Sequence, residues 1–180
     1  IVCMAIGYLS TGGPIPISWT PFGELFSGLF MGMIIILLAF FIQTGNVNGF
    51  VVWISLPIVI TIGLINMANN IRDRVKDKAR GGKTLPILLG KKASITFMAA
   101  MYILAYLIVI FTALFKSGGS LFYLLVLFSF PMPIKAIRRF NKNDTPASMM
   151  PAMAATGKTN TVFGILYALG IYISALLGGI

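Results

Sequence analysis

Two of the four acidic residues in the chain lie one helical turn apart in a strongly basic stretch, "NMANNIRDRVKDKARGGKTLPILLG", which runs from Asn66 to Gly90. They are Asp73 and Asp77, and eight Lys and Arg occur between Arg72 and Lys92. Carboxylate and amide oxygens are hard ligands that suit Mg²⁺, and Lys and Arg bind the phosphates that accompany this ion. The mixture of acids and bases therefore suits a metal-bound diphosphate.

The spacing of the polar residues predicts that they share one helix face, if the helix that ends the second apolar segment continues through Asp77. At about 100° per residue, five residues then fall within an arc of about 100°. These are Asn66, Asn69, Asn70, Asp73 and Asp77. Acids one turn apart near a helix C-terminus repel each other and oppose the helix dipole. Helix stability therefore does not explain the two aspartates.

A solvated salt-bridge lattice is the alternative interpretation of the same stretch. In it, both aspartates are neutralised by neighbouring cations, namely Arg72, Arg74, Lys76 and Lys78. Such pairs are common, and each contributes about 1 kcal/mol or less. Asn66 and Asn69 favour a binding site instead, because polar groups at membrane depth are costly unless they serve a site or line a cavity.

The composition is that of a membrane protein. The chain has 180 residues, of which 58% are hydrophobic and 10% charged, and its mean hydropathy is +0.94. Five uncharged runs approach the roughly 20 residues that a helix needs to cross a bilayer. They are Leu25 to Ile42, Val47 to Met67, Ala93 to Phe115, Ser117 to Ile134 and Thr159 to Ile180. We therefore predict an all-α transmembrane helix bundle with five complete spans.

The first residues predict the end of a sixth helix. Ile1 to Leu9 is apolar but too short to span, and it begins without an initiator Met or a basic flank. We expect residues 1–180 to form a single membrane-embedded domain that is truncated at its N-terminus. With one cysteine and no His, the sequence excludes an internal disulfide, His-based triads and the usual zinc sites.

The net charge of +10 lies in short loops, and this distribution argues against a nucleic-acid partner. Twelve of the fourteen Lys and Arg fall between Arg72 and Lys92 or between Lys135 and Lys142, while Lys116 lies on the opposite side. The positive-inside rule places the loops after the second and fourth spans in the cytoplasm. By alternation, Tyr8 to Glu24 is cytoplasmic as well. The lipid bilayer is the expected surrounding of the chain.

Several segments resemble those of a known family. "NNIRDRVKD" and the following "GGKTLPILLGKK" resemble the second aspartate-rich motif and adjoining loop of the UbiA-type intramembrane prenyltransferases. "YLSTGGPIPISWTPFGELFSGLFMG" and "MMPAMAATGKTNT" are similar to other segments of that family. The benzoate-type branch usually has a Tyr-Ala pair shortly before the first Asp, where this chain has Asn69-Asn70-Ile71-Arg72. This difference favours the branch that uses 1,4-dihydroxy-2-naphthoate in menaquinone biosynthesis.

The resemblance implies a nine-helix bundle in which two aspartate-rich motifs face one cavity. This chain would hold the end of helix four and helices five to nine, without the first motif, and we expect it to be inactive alone. The implied substrates are polyprenyl diphosphate and 1,4-dihydroxy-2-naphthoate, joined to give demethylmenaquinone. The implied location is the bacterial cytoplasmic membrane, with the site on the cytoplasmic face.

The resemblance also implies roles for individual residues. Asp73 and Asp77 would bind Mg²⁺ with support from Asn69, which makes these three the catalytic candidates. Arg72 and Lys83 would bind the diphosphate oxygens. Asn66 and Asn70 would complete the substrate site. The chain departs from the family pattern after the second Asp, where Ala79, Arg80, Gly81 and Gly82 replace a sequence of acid, polar residue, Gly and base.

Glu24 and the Gly/Pro stretch before it have two interpretations. Under the first, Tyr8, Gly12, Gly13, Pro14 and Glu24 shape the pocket for the aromatic acceptor. Under the second, which we favour, they form a turn followed by a Glu that caps the next helix.

Other functions are considered beside this one. Another UbiA-type aromatic prenyltransferase would use the same residues. A transporter or non-catalytic membrane subunit would place its ionisable residues near the bilayer midplane, whereas Asp73 and Asp77 are predicted at one interface. A CDP-alcohol phosphotransferase would need a longer signature with four acids, which the sequence lacks.

Overall fold

The protein is described by a computed structural model that covers residues 7–8, 12–13 and 16–177. In this part of the chain, five helices are long and apolar enough to cross a membrane. They are α1 (Gly23–Thr44), α2 (Gly49–Ala79), α3 (Leu85–Phe115), α4 (Leu121–Lys142) and α5 (Pro146–Leu176). The described residues contain no strand, so the predicted all-α fold and the five spans are confirmed. Most of the predicted sixth helix, Ile1 to Leu9, lies outside the described residues.

Helix α2 is the central element of the bundle, since it packs most extensively on α3 and also contacts α1 and α5. It begins at Gly49, and the side chain of the preceding Asn48 caps it by accepting from the Val51 amide at 2.9 Å. Its 31 residues make it about 46 Å long, which exceeds the roughly 30 Å of hydrocarbon in a bilayer. The last turns, including Asp77, therefore extend beyond the apolar run that ends at Met67. The prediction that this helix continues through Asp77 is confirmed.

A glycine pair ends α2. The Gly82 amide donates to the Asp77 carbonyl at 2.9 Å, and the Gly81 amide donates to the Lys78 carbonyl at 3.1 Å. Gly81 has a φ of 85°, which glycine adopts without strain. This is a Schellman motif, and it fixes where the chain turns towards Lys83.

Glycines also set the distance between α1 and α2. A Cβ on Gly28 would lie 2.3 Å from the Val59 carbonyl oxygen, and a Cβ on Gly63 would lie 2.8 Å from the Glu24 carbonyl oxygen. Neither position has room for a side chain, so the two backbones approach closely, as small residues allow in membrane helices. Between Leu29 and Ile34, α1 is a π-helix, a local widening that is frequent near functional sites.

Two clusters of buried side chains fill the space between α2, α3, α4 and α5. The cluster nearer the Asp77 end includes Met67, Ile71, Met98 and Phe140. The other is largely aromatic and contains Tyr106, Tyr123, Phe163 and Tyr167. Together they hold α2 in place, and α2 carries the charged residues.

Two predicted helix boundaries are wrong. The predicted loop after Lys83 becomes helical at Leu85, and Gly90, with φ 78° and ψ 167°, breaks the regular path of α3. Helix α5 begins at Pro146, where Thr145 and Ser148 form a capping box, and not at Thr159. The uncharged runs are bounded by Lys92 and Lys158, and Lys91 also precedes one of them. A helix can nevertheless continue through a Lys when its ammonium group reaches solvent.

Candidate functional site at the end of helix α2

Three connecting segments meet around the C-terminal end of α2. The Lys83 amide donates to the Trp19 carbonyl at 2.8 Å, which joins the α2–α3 loop to the segment before α1. The Lys91 ammonium donates to an oxygen of Asp144 at 2.6 Å, which joins α3 to the α4–α5 connection. The basic residues of these segments are thereby gathered at one end of the bundle, as the charge distribution predicts.

Asp73 is held by its neighbour in the sequence. Arg72 Nε donates to Asp73 Oδ1 at 2.8 Å, and a second nitrogen of the guanidinium contacts Oδ2. These hydrogen bonds hold the pKa of the Asp73 carboxyl below its usual range. Arg72 also donates to the sulfur of Met153 at 2.8 Å, so α5 helps to position the pair.

Asp77 differs from Asp73 although both lie on the same face. Within the described part of the chain, the ion pairs are Arg72 with Asp73 and Lys91 with Asp144, so Asp77 forms none. Partial burial raises the pKa of the Asp77 carboxyl, and the negative charge of Asp73 raises it further. Of the alternative salt-bridge lattice, the described residues therefore show the Arg72–Asp73 pair and no ion pair at Asp77.

The three asparagines of the predicted face have different surroundings. Asn66 lies against Gly23, since its amide nitrogen is 3.4 Å from the position of a Cβ on that glycine. Asn69 is partly buried and lies one turn before Asp73. Asn70 is buried and donates from Nδ2 to Glu24 Oε1 at 2.9 Å. Asn70 is thus engaged with α1, while Asn66 and Asn69 form no side-chain hydrogen bond with the described residues.

Lys83, the remaining predicted site residue, follows the glycine pair that ends α2. Its side chain is exposed, and its amide is fixed to Trp19 as described above. The loop therefore holds the Lys83 backbone while its ammonium group stays accessible from the end of the bundle where Asp77 lies.

An apolar cavity of about 280 Å³ lies between α1, α2 and the early part of α3. Residues from the three helices and from the segment before α1 surround it, and they are Pro21, Phe22, Glu24, Leu25, Val59, Ile60, Gly63, Leu64, Met67, Leu85, Phe97 and Met101. Glu24 is the charged residue in this lining. The cavity adjoins the part of α2 that leads to Asp73.

The favoured interpretation of Glu24 as a helix cap is wrong. The residue at the cap position of α1 is Phe22, without a side-chain cap, and the Glu24 carboxylate contacts Asn70. Sequence reasoning missed this pair because the partners are 46 positions apart. The available signal was an acid placed at the start of an apolar run.

Together these features define a multi-pass α-helical membrane protein with acidic and basic side chains clustered at one end and an apolar cavity beside them. The chain belongs to the UbiA prenyltransferase family, whose family model matches residues 3–162.

Curated relatives agree with this assignment. The chain is 49% identical to the 1,4-dihydroxy-2-naphthoate octaprenyltransferase of Bacillus subtilis over 97% of its own length and 56% of that protein. It is 32% identical to the UbiA prenyltransferase domain-containing protein 1 homolog of Drosophila melanogaster, over 91% of the chain and 44% of the relative. The human UbiA prenyltransferase domain-containing protein 1 is 26% identical over 93% of the chain. The chain spans about half the length of these relatives.

Proposed function

We propose that the protein transfers a polyprenyl group from a polyprenyl diphosphate to 1,4-dihydroxy-2-naphthoate. Diphosphate leaves the donor, the carboxyl group of the acceptor leaves as CO2, and the product is the quinol form of demethylmenaquinone. Family membership and the name of the Bacillus subtilis relative support this reaction. The observation that carries the proposal is the Asp77 carboxylate. It has no ion pair within the described residues, lies one turn from Asp73, and is surrounded by cations at the end of α2.

The oxygen donors on this helix fit Mg²⁺. Asp73 and Asp77 supply carboxylates and Asn69 supplies an amide oxygen, and Mg²⁺ is usually held by one or two protein carboxylates together with substrate phosphates. Among the described residues, no group of three or more His, Cys, Asp and Glu is available to hold a metal. Phosphate oxygens, water and the first aspartate-rich motif that the family resemblance implies for the full-length protein would complete the coordination. When bound, Mg²⁺ would supply neutralisation of the charge that develops on the departing diphosphate.

The other residues of the site would bind and orient the donor. Lys83 presents an accessible ammonium group, and Arg72 is fixed beside Asp73, so both can contact diphosphate oxygens. The hydrocarbon tail would lie among the apolar helices, which also keep water from the reacting allylic carbon. By the positive-inside rule, this end of the bundle faces the cytoplasm of a bacterial cell.

The test compares three aspartates in the full-length protein. Asp73→Asn and Asp77→Asn should each lower turnover by orders of magnitude without loss of membrane insertion, because each removes a charged ligand and keeps the volume. Asp144→Asn is the matched control, since Asp144 lies at the same end of the bundle but is paired with Lys91. Prenyl transfer is measured in membranes at saturating donor and acceptor. Equal turnover in all three variants would refute the assignment of Asp73 and Asp77 to the active site.

A further inference from the structure

Glu24 carries a buried oxygen that has no partner in the described part of the chain. The residue is 9% exposed, and its Oε1 accepts a hydrogen bond from Asn70. Its Oε2 is buried without a hydrogen bond to any described residue. A buried carboxylate oxygen is costly to leave without a donor. A ligand that donates a hydrogen bond would satisfy this oxygen.

The cavity beside Glu24 limits what that ligand can be. Its volume of about 280 Å³ is just below the roughly 300 to 1,000 Å³ that is typical of ligand pockets. This volume suits one compact ring system. Apart from Glu24, the side chains around it are apolar, as expected for a site that receives a flat aromatic molecule.

The chemistry of Glu24 separates the two proposed substrates. An ionised diphosphate has no hydrogen-bond donor, and neither has a prenyl tail. A phenolic hydroxyl does donate, and the proposed acceptor carries two. The cavity lies on the same helix as the aspartates, because its lining on α2 ends at Met67, six residues or about 9 Å of helix before Asp73.

We propose that Glu24 binds a phenolic hydroxyl of the aromatic acceptor in this cavity, and that Asn70 positions the Glu24 carboxylate. This inference rests on the proposed prenyl transfer. The carboxylate is well placed for that role, since Asn70 fixes one of its oxygens and Gly63 lies so close to the Glu24 backbone that a Cβ would be 2.8 Å from its carbonyl. The bound ring then lies beside the end of α2 that carries Asp73 and Asp77.

The first experiment separates acceptor binding from donor binding in the full-length protein. Glu24→Gln keeps the shape of the side chain but removes its charge, so the KM for 1,4-dihydroxy-2-naphthoate should rise about tenfold or more. The KM for the polyprenyl diphosphate should stay unchanged. Thr61→Val is the control, because Thr61 is buried on α2, outside the cavity lining, and bonds to the Ile58 carbonyl. It should change neither constant.

A second measurement uses the wild-type protein alone and does not depend on the folding of a variant. Two naphthoates that each lack one ring hydroxyl are tested as competitors of the acceptor. The one that lacks the Glu24-bound hydroxyl should bind about tenfold more weakly than the other. Equal binding of both analogues, or an unchanged acceptor KM in Glu24→Gln, would overturn the role of Glu24. If the wild-type protein does not prenylate the naphthoate at all, the proposed function itself has failed.

Discussion

At the scale of single residues, the two aspartates of α2 have different environments, although they share one helix face. Arg72 engages both oxygens of Asp73 and is itself held by a methionine of α5. Asp77 has no such partner within the described residues. We infer that Asp73 is set in place before a ligand arrives, while Asp77 is free to bind one.

Lys83 tests whether this end of the bundle binds a diphosphate. Lys83→Ala should raise the KM for the prenyl donor and leave the acceptor KM unchanged, because the acceptor carries no diphosphate. If Lys83 is only a solvated charge, its removal should cost about 1 kcal/mol of stability or less and should not affect the kinetics. Lys142→Ala is the control, since Lys142 is also exposed and lies at the end of α4. An unchanged donor KM would contradict a binding role for Lys83.

The sequence predicts the residues of one helix face well and contacts between helices poorly. The shared face of Asp73 and Asp77 follows from the helical period, which depends on neighbouring positions alone. The contact between Glu24 and Asn70 depends on how α1 packs on α2. The close approach at Gly28 and Gly63 creates that contact, and no local pattern in the sequence specifies it.

At the scale of helices, the contact between α1 and α2 depends on Gly28. Gly28→Ala places a Cβ 2.3 Å from the Val59 carbonyl oxygen, so the helices must separate, at a cost of about 1 to 3 kcal/mol. We expect a lower Tm for the protein in detergent, measured by thermal unfolding. Gly164→Ala is the matched control, because Gly164 lies within α5 and a Cβ added there would meet nothing within 4 Å. Equal Tm values for the two variants would contradict the close approach.

Helix ends illustrate the limits of sequence reasoning at this scale. The end of α2 at Gly81 and Gly82 uses a common glycine signal. The break at Gly90 in α3 has no such pair of glycines. Lysines follow it, so a count of apolar residues places the start of this helix too late. Apolar runs therefore predict which helices span the membrane, whereas glycine geometry and lysine position determine where each helix begins and bends.

At the scale of the whole molecule, the distribution of charge determines orientation. Twelve of the fourteen basic residues lie between Arg72 and Lys92 or between Lys135 and Lys142, and the structure joins these two regions through Lys91 and Asp144. The opposite end carries Lys116, whose ammonium lies 5.0 Å from the centre of the Trp53 ring. From this imbalance, the positive-inside rule predicts that the basic end faces the cytoplasm. The proposed site at Asp77 would then receive both substrates from that side.

Labelling of introduced cysteines tests this orientation. In a background where Cys3, the single cysteine of the chain, is replaced by Ala, new cysteines are placed at the exposed positions Asn46, Lys78 and Lys142. A membrane-impermeant thiol reagent should label the Asn46 position in intact cells, because the positive-inside rule predicts that this turn between α1 and α2 faces outward. It should reach the other two only in inverted vesicles. The opposite pattern would refute the cytoplasmic location of the site but would still agree with the five-helix bundle. Labelling of Asn46 and Lys78 from the same side would contradict α2 as a spanning helix.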